Sequence, residues 1–209
     1  MGKREAERRL LMRIAGPVVE PAVRRGISPF AFTYTAFVLA LAAAALYPLH
    51  SISSFFVPLA GTVYLVSAFL DAIDGEVARR QGRASARGAL VDSMLDKASE
   101  VAVSAGLAFA ADPLAALLFG TSSLLVSYTR ARAEALGVEL AGIGIAERAE
   151  RTLILFVGSI AYVALGREAL TVALLGASLL SFVTVLQRSV ETFRRLGAGN
   201  PDGAPRGPT

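Results

Sequence analysis

A chain of 209 residues, 54% of them hydrophobic and with a mean hydropathy of +0.56, is too apolar for a soluble domain built round one ordinary core, so lipid must be part of its solvent. It contains no cysteine, which excludes disulfide frameworks and thiolate metal sites. The net charge of +4 suits an anionic membrane surface or anionic substrates, and no nucleic-acid partner is expected.

The opening MGKREAERRLLMRIAG is charged and lacks the apolar stretch of a signal peptide, so it is expected to be retained. From Glu5 to Arg25, Leu10, Leu11, Ile14, Val18 and Val19 alternate with Arg8, Arg9, Arg13 and Glu20. That is the pattern of an amphipathic helix lying in the membrane interface, with Pro17 and Pro21 expected to bend or break it. Residues 1–27 therefore read as an interfacial anchor, residues 28–196 as the membrane domain, and residues 197–209 as a Gly- and Pro-rich disordered tail.

Six apolar stretches follow in turn, near Pro29 to Tyr47, Ile52 to Arg79, Gly88 to Ala111, Pro113 to Thr129, Thr152 to Gly166 and Ala169 to Arg188. A hydrocarbon core of roughly 30 Å takes about 20 helical residues to cross, so each is expected to span it. The predicted fold is an all-α integral membrane protein with six transmembrane helices preceded by an interfacial helix. Ala, Gly and Ser within the spans let helices approach closely where lipid supplies no hydrophobic drive. Apart from Lys97 and Arg167, every Lys and Arg lies in the N-terminal segment, the Arg79 to Arg87 turn, the Arg130 to Arg151 connection or the C-terminal region. By the positive-inside rule those segments and both termini are cytoplasmic.

The informative stretch is DAIDGEVARRQGRASARGALVDSMLD, from Asp71 to Asp96. Asp71 and Asp74 are three apart, Asp92 and Asp96 four apart, so each pair shares one helix face. Helix rise puts Asp71 and Asp92 each roughly 29 Å from the far ends of their spans, at one level near the cytoplasmic boundary. Four carboxylates so close repel one another unless cations neutralise them. An oxygen-only donor set suits Mg²⁺ or Mn²⁺, and two ions can clamp a displacement at phosphorus. Pairing with Arg79, Arg80, Arg83, Arg87 and Lys97 would explain any one of these aspartates, but not two helical pairs inside the membrane domain, where acids are costly. Gly75, Ala78, Gly82 and Gly88 leave room for a flat base or a diphosphate to approach backbone.

Asp71, Asp74, Gly75, Ala78, Arg79, Gly88, Asp92 and Asp96 match D-x-x-D-G-x-x-A-R-x8-G-x-x-x-D-x-x-x-D at every fixed position, so the chain resembles the CDP-alcohol phosphotransferase family. The resemblance implies metal ligation by Asp71, Asp74 and Asp92, with Asp96 as general base and further metal contact. It also implies that Gly75, Ala78, Arg79 and Gly88 surround the CDP moiety of a CDP-lipid, and that the protein is a homodimer in the cell membrane with its active site on the cytoplasmic side. In the upstream GISPF, Phe30 stands where the family usually carries Asn or Asp, so that position receives no polar contact to the nucleotide.

For the acceptor, Arg130, Arg132, Arg148 and Arg151 lie on the predicted side of the aspartates, among Glu134, Glu147 and Glu150. Arginine grips phosphate through a planar fork of donors. ARAEALG followed by IAERAER resembles the phosphatidylinositol-phosphate synthase branch and its archaetidylinositol counterpart, which implies inositol 1-phosphate as acceptor and Arg130, Arg148 and Arg188 as its phosphate ligands. Arg130 stands where bacterial members carry lysine. Glycerol 3-phosphate, serine and free inositol are the competing acceptors, CDP-archaeol and CDP-diacylglycerol the competing donors. An ion-coupled transporter is the competing class, and neither mid-membrane acids nor an internal repeat supports it.

Overall fold

A computed structural model of the chain describes residues 15–140 and 142–199. Every regular element among the described residues is helical. Helix α1 covers residues 15–24, α2 runs Pro29–Leu46, a 3-10 turn follows at Tyr47–Ser51, and then come α3 (Phe56–Arg80), α4 (Ala86–Ala110), α5 (Pro113–Ala135), α6 (Arg148–Leu165) and α7 (Arg167–Gly199). The anchor residues Leu10, Leu11, Ile14, Arg8, Arg9 and Arg13 and the tail beyond Gly199 lie outside the described residues.

Pro17 and Pro21 do not break α1. Pro17 lies in the first turn of the described helix, where a missing N–H costs little, and Ala15, Val19 and Ala22 on the ridge opposite both prolines pack on Ile73 and Val77 of α3. Gly26, at φ 65°, ends the helix, and Ile27 N–H closes it on Ala22 O at 3.0 Å. Helix starts follow the expected chemistry: Pro29 and Pro113 occupy first-turn positions, Asp112 Oδ1 accepts from the N–H groups of Leu114 and Ala115, and Ser85 Oγ accepts from Gly88 N–H at 3.1 Å.

Several element boundaries move from their expected places. Pro48 and the serines that follow favour the 3-10 turn, so α3 starts at Phe56 rather than Ile52, and Asp71 lies roughly 22 Å from its outer end. Helix α5 runs past Thr129 to Ala135, α6 begins at Arg148, and α7 continues through Gly199 into the segment read as tail. Among the described residues, three helical stretches, Pro29–Ser51, Phe56–Arg80 and Arg167–Gly197, are long and apolar enough to cross a membrane. In α4 the charges fall mid-helix, at Asp92, Asp96, Lys97 and Glu100, whereas those of α3 and α7 gather toward their ends.

The core runs along the seams of this bundle through Tyr47, Val57, Tyr64, Leu107, Phe119 and Leu155, all at most 2% exposed. Close approach depends on small residues. A Cβ at Gly106 would collide with the backbone of Ala44, so α4 meets α2 there main chain to main chain. Helix α2 packs on both α3 and α4, whereas α3 and α4 barely touch each other. The result is a cleft between the ends of α3 and α4 nearest the Gly82 turn, floored by α2.

Candidate active site

Gly82, at φ 66°, allows the chain to turn from α3 into α4, with Arg83 N–H bonded back to Ala78 O at 2.9 Å. This reversal sets the acidic face of one helix against that of the other. Carboxylate oxygens of Asp71, Asp74 and Asp92 lie within 4.8 Å of one another. Asp74 is buried, and Asp92 Oδ1 is enclosed yet accepts no hydrogen bond from any described residue. Three hard oxygen donors, one lacking a partner, suit a divalent cation of the Mg²⁺ or Mn²⁺ kind.

Asp96 takes a different position. Its Oδ2 accepts from Lys97 Nζ at 2.6 Å and its Oδ1 faces Arg148 Nη1 at 2.5 Å, while the same Arg148 nitrogen also reaches Asp71 Oδ2. It therefore stands beside the triad with cationic partners of its own. Arg148 opens α6, so the first residue of that helix joins the acids of α3 to those of α4.

Next to the triad lies a cavity of about 350 Å³, lined by Asp74, Gly75, Ala78, Arg79, Gly88 and Asp92 together with Phe30 and Arg83. The four residues assigned to a CDP group thus share one space with two of the triad acids. A Cβ at Gly88 would stand 3.2 Å from Ser85 Oγ, the group that caps α4. Arg79 and Arg80 are both held by the buried Glu76, at 2.8 and 3.1 Å. Phe30 lines the cavity with its ring, in keeping with a position that offers no polar contact.

The three arginines assigned to the acceptor have separate surroundings. Arg148 sits in the acid cluster, and Arg130 pairs with Glu134 at 2.9 Å on the exposed flank of α5. Arg188 is 3% exposed and donates to Ile143 O at 2.9 Å and Val126 O at 2.8 Å, with Glu147 at 3.6 Å. It ties the α5–α6 connection to α7. The same connection is held by Thr184 Oγ1, which accepts from Ala146 N–H at 3.0 Å, and by Arg151, which donates to Ala146 O at 3.1 Å.

Two features escaped sequence reasoning. Thr33 donates to Asp74 Oδ2 at 2.7 Å across 41 residues. Its signal was present as the polar member of the α2 face formed by Thr33, Ala36, Ala40 and Ala43, the buried residues of that helix. The other is Glu100, 2% exposed, with Oε1 2.6 Å from Arg151 Nη2 and Oε2 3.1 Å from Lys97 Nζ.

Long apolar helices around an acid triad that could hold a metal ion, with a cavity beside it, are the frame of a metal-dependent membrane enzyme. The chain belongs to the CDP-alcohol phosphatidyltransferase family, whose sequence profile matches residues 27–186. It is thereby a transferase of phospholipid biosynthesis, and the transporter reading falls away. It is 38% identical over 189 residues to the archaetidylinositol phosphate synthase of Methanothermobacter thermautotrophicus, covering 84% of this chain and 93% of that one. The enzyme of the same name from Pyrococcus horikoshii is 35% identical over 178 residues, 83% of this chain and 88% of its own. Among solved structures, the phosphatidylinositol phosphate synthase of Mycobacterium tuberculosis with CDP-DAG bound superposes with a TM-score of 0.72 at 28% identity, covering 87% of this chain and 94% of that one. A second crystal structure of that enzyme, in complex with manganese and citrate, gives a TM-score of 0.72 at 28% identity over 85% of this chain and 88% of its own.

Proposed function

We propose that this enzyme transfers the lipid phosphate of a CDP-lipid, CDP-archaeol or CDP-diacylglycerol, to inositol 1-phosphate and releases CMP. The observation that carries the reading is Arg148, a fork-shaped cation set among the acids that would hold metal and deprotonate the acceptor. A phosphorylated acceptor, inositol 1-phosphate or glycerol 3-phosphate, gains from that cation, whereas free inositol carries no charge for it to grip. The synthase names of the archaeal relatives and the CDP-DAG of the mycobacterial structure support the same choice.

Asp71, Asp74 and Asp92 would hold Mg²⁺ or Mn²⁺, a choice the manganese of the mycobacterial structure supports, and two ions with Asp96 as a further contact are part of the proposal. When bound, the ions neutralise charge on the phosphates of donor and leaving group. Gly75, Ala78 and Gly88 give the cytidine and diphosphate access to backbone, and Arg79 faces the same cavity with a charge that CMP can use as it departs. Asp96 takes the proton of the acceptor hydroxyl. That oxygen forms a bond to the lipid-bearing phosphorus as the bond from this phosphorus to the CMP oxygen breaks. Arg148 orients the acceptor through its phosphate, with Arg188 and Arg130 behind it on the same side.

The six long helices are proposed as six crossings, with both termini and the site on the cytoplasmic side, residues 28–196 as the catalytic domain and α1 as an anchor at the interface. A homodimer is the proposed assembly. The test is CMP release by purified protein with CDP-archaeol or CDP-diacylglycerol, Mn²⁺ or Mg²⁺, and one acceptor at a time. Turnover should require metal and inositol 1-phosphate. Turnover with glycerol 3-phosphate and none with inositol 1-phosphate would overturn the acceptor.

A further inference from the structure

We infer that Glu100 is a positioning residue of the transfer reaction: paired with Arg151, it fixes α6 against α4 and so holds Arg148 in register with Asp96 and Asp71. The inference rests on the proposed roles of Asp96 and Arg148.

Asp96 and Glu100 lie one turn apart on α4, Arg148 and Arg151 one turn apart on α6. The two helices are joined by two rungs: Asp96 to Arg148 at 2.5 Å, and Glu100 to Arg151 at 2.6 Å. Elsewhere α4 packs chiefly on α2 and α5, and α6 on α3 and α7. The mutual spacing of α4 and α6 thus depends on these charged side chains. The inner rung is the buried one, with Glu100 and Arg151 each 2% exposed.

Stability does not account for charges at that depth. A buried ion pair is generally matched or exceeded by a well-packed apolar pair, because desolvation cancels its attraction. What an apolar pair lacks is direction. Glu100 Oε1 aims Arg151, whose Nη1 also donates to Ala146 O at 3.1 Å, two residues before Arg148. Ala146 N–H is meanwhile bonded to Thr184 at 3.0 Å. The backbone leading into Arg148 is therefore held from α4 through Arg151 and from α7 through Thr184. Glu100 Oε2 also shares Lys97 with Asp96, at 3.1 and 2.6 Å, which turns the ammonium inward and leaves Asp96 Oδ1 to face Arg148. Glu100 meets no substrate in this scheme and acts through its two cationic neighbours.

The test is steady-state kinetics of the whole protein in detergent with CDP-lipid, Mn²⁺ and inositol 1-phosphate. Glu100→Gln keeps the shape and removes the charge. Its kcat/KM for the acceptor should fall by up to on the order of a hundredfold, as about an ångström of misplacement costs, while KM for CDP-lipid holds. Glu100→Asp, which restores the charge on a shorter stem, should recover part of the loss. The double variant Glu100→Leu with Arg151→Met orphans neither charge, so it should fold with a thermal midpoint near wild type and still show the acceptor defect. A double variant with wild-type acceptor kinetics overturns the inference, as does a Glu100→Gln enzyme that loses both substrates equally. Wild-type protein that used another phosphorylated acceptor and ignored inositol 1-phosphate would overturn the acceptor assignment alone, and the same variants measured with that acceptor would still decide the role of Glu100.

Discussion

The acid cluster and the arginine side of the site are built on different principles. Asp71, Asp74, Asp92 and Asp96 come together through helix periodicity and one tight reversal at Gly82, all within 26 residues of chain. Arg148 and Arg188 are placed by contacts that span 77, 45 and 62 residues, the last two of them to backbone carbonyls. The acids thus come from one short stretch of chain, with α2 holding the two helices that carry them, whereas the arginine side is assembled only when the whole bundle has closed. Damage to the first should remove chemistry and spare the fold. Damage to the second should trade affinity against stability.

The largest effect is expected at Asp96. Asp96→Asn should lower kcat by roughly 10²- to 10⁴-fold, the usual contribution of a positioned base, with CDP-lipid still bound in equilibrium titration. Undiminished turnover would remove Asp96 from the role of base. Next come Asp71→Ala, Asp74→Ala and Asp92→Ala, each of which should lower activity and shift the Mn²⁺ activation curve to higher concentration while the thermal midpoint stays close to wild type. An enzyme active without metal would dissolve the distinction between the two regions.

On the other side, Arg148→Ala and Arg188→Ala should separate. Loss of the Arg148 fork should raise KM for inositol 1-phosphate roughly ten- to a hundredfold, equivalent to about 1.5 to 3 kcal/mol, with CDP-lipid affinity held. Loss of Arg188 removes the donor to Ile143 O and one of the donors to Val126 O, which costs on the order of 1 to 3 kcal/mol and should lower the melting temperature by several degrees before any kinetic effect is read. If Arg188→Ala melts like wild type and binds the acceptor poorly, Arg188 is a phosphate ligand rather than a strut. The smallest effect is expected for Thr33→Val, which removes one neutral donor from Asp74. Its cost of about 1 kcal/mol should appear as a roughly fivefold higher Mn²⁺ requirement in the same activation curve.

That asymmetry also explains what the sequence disclosed. The aspartates were legible because i,i+3 and i,i+4 spacing on either side of a Gly-containing turn is a complete local instruction. The helices were legible because lipid demands length and apolarity, though their ends moved where Pro48, Ser53 and Ser54 replace a helical turn and where polar residues extend α5 to Ala135. Thr33 was not legible as a partner of Asp74, since a threonine in an apolar run has the same spelling whether it bonds its own helix or another. Glu100 stands midway along the Gly88 to Ala111 stretch and Arg151 just before Thr152, and nothing in the sequence pairs them until the fold brings them together across 51 residues. Arg188 was found by resemblance, but its bonds to Ile143 and Val126 carbonyls leave no trace in sequence, because every residue has a carbonyl.

Gly106 carries a consequence for how the chemistry is tuned at a distance. It lies 14 residues beyond Asp92 on α4, roughly 21 Å away along the axis, at the point where α4 rests directly on the main chain of Ala44. That contact works as a fulcrum. A single methyl there would lever α4 away from α2, and the lever arm would carry the displacement to the mouth of the cleft, where Asp92 faces Asp74. The catalytic gap is therefore gauged from the opposite end of the bundle, by an atom that is not there.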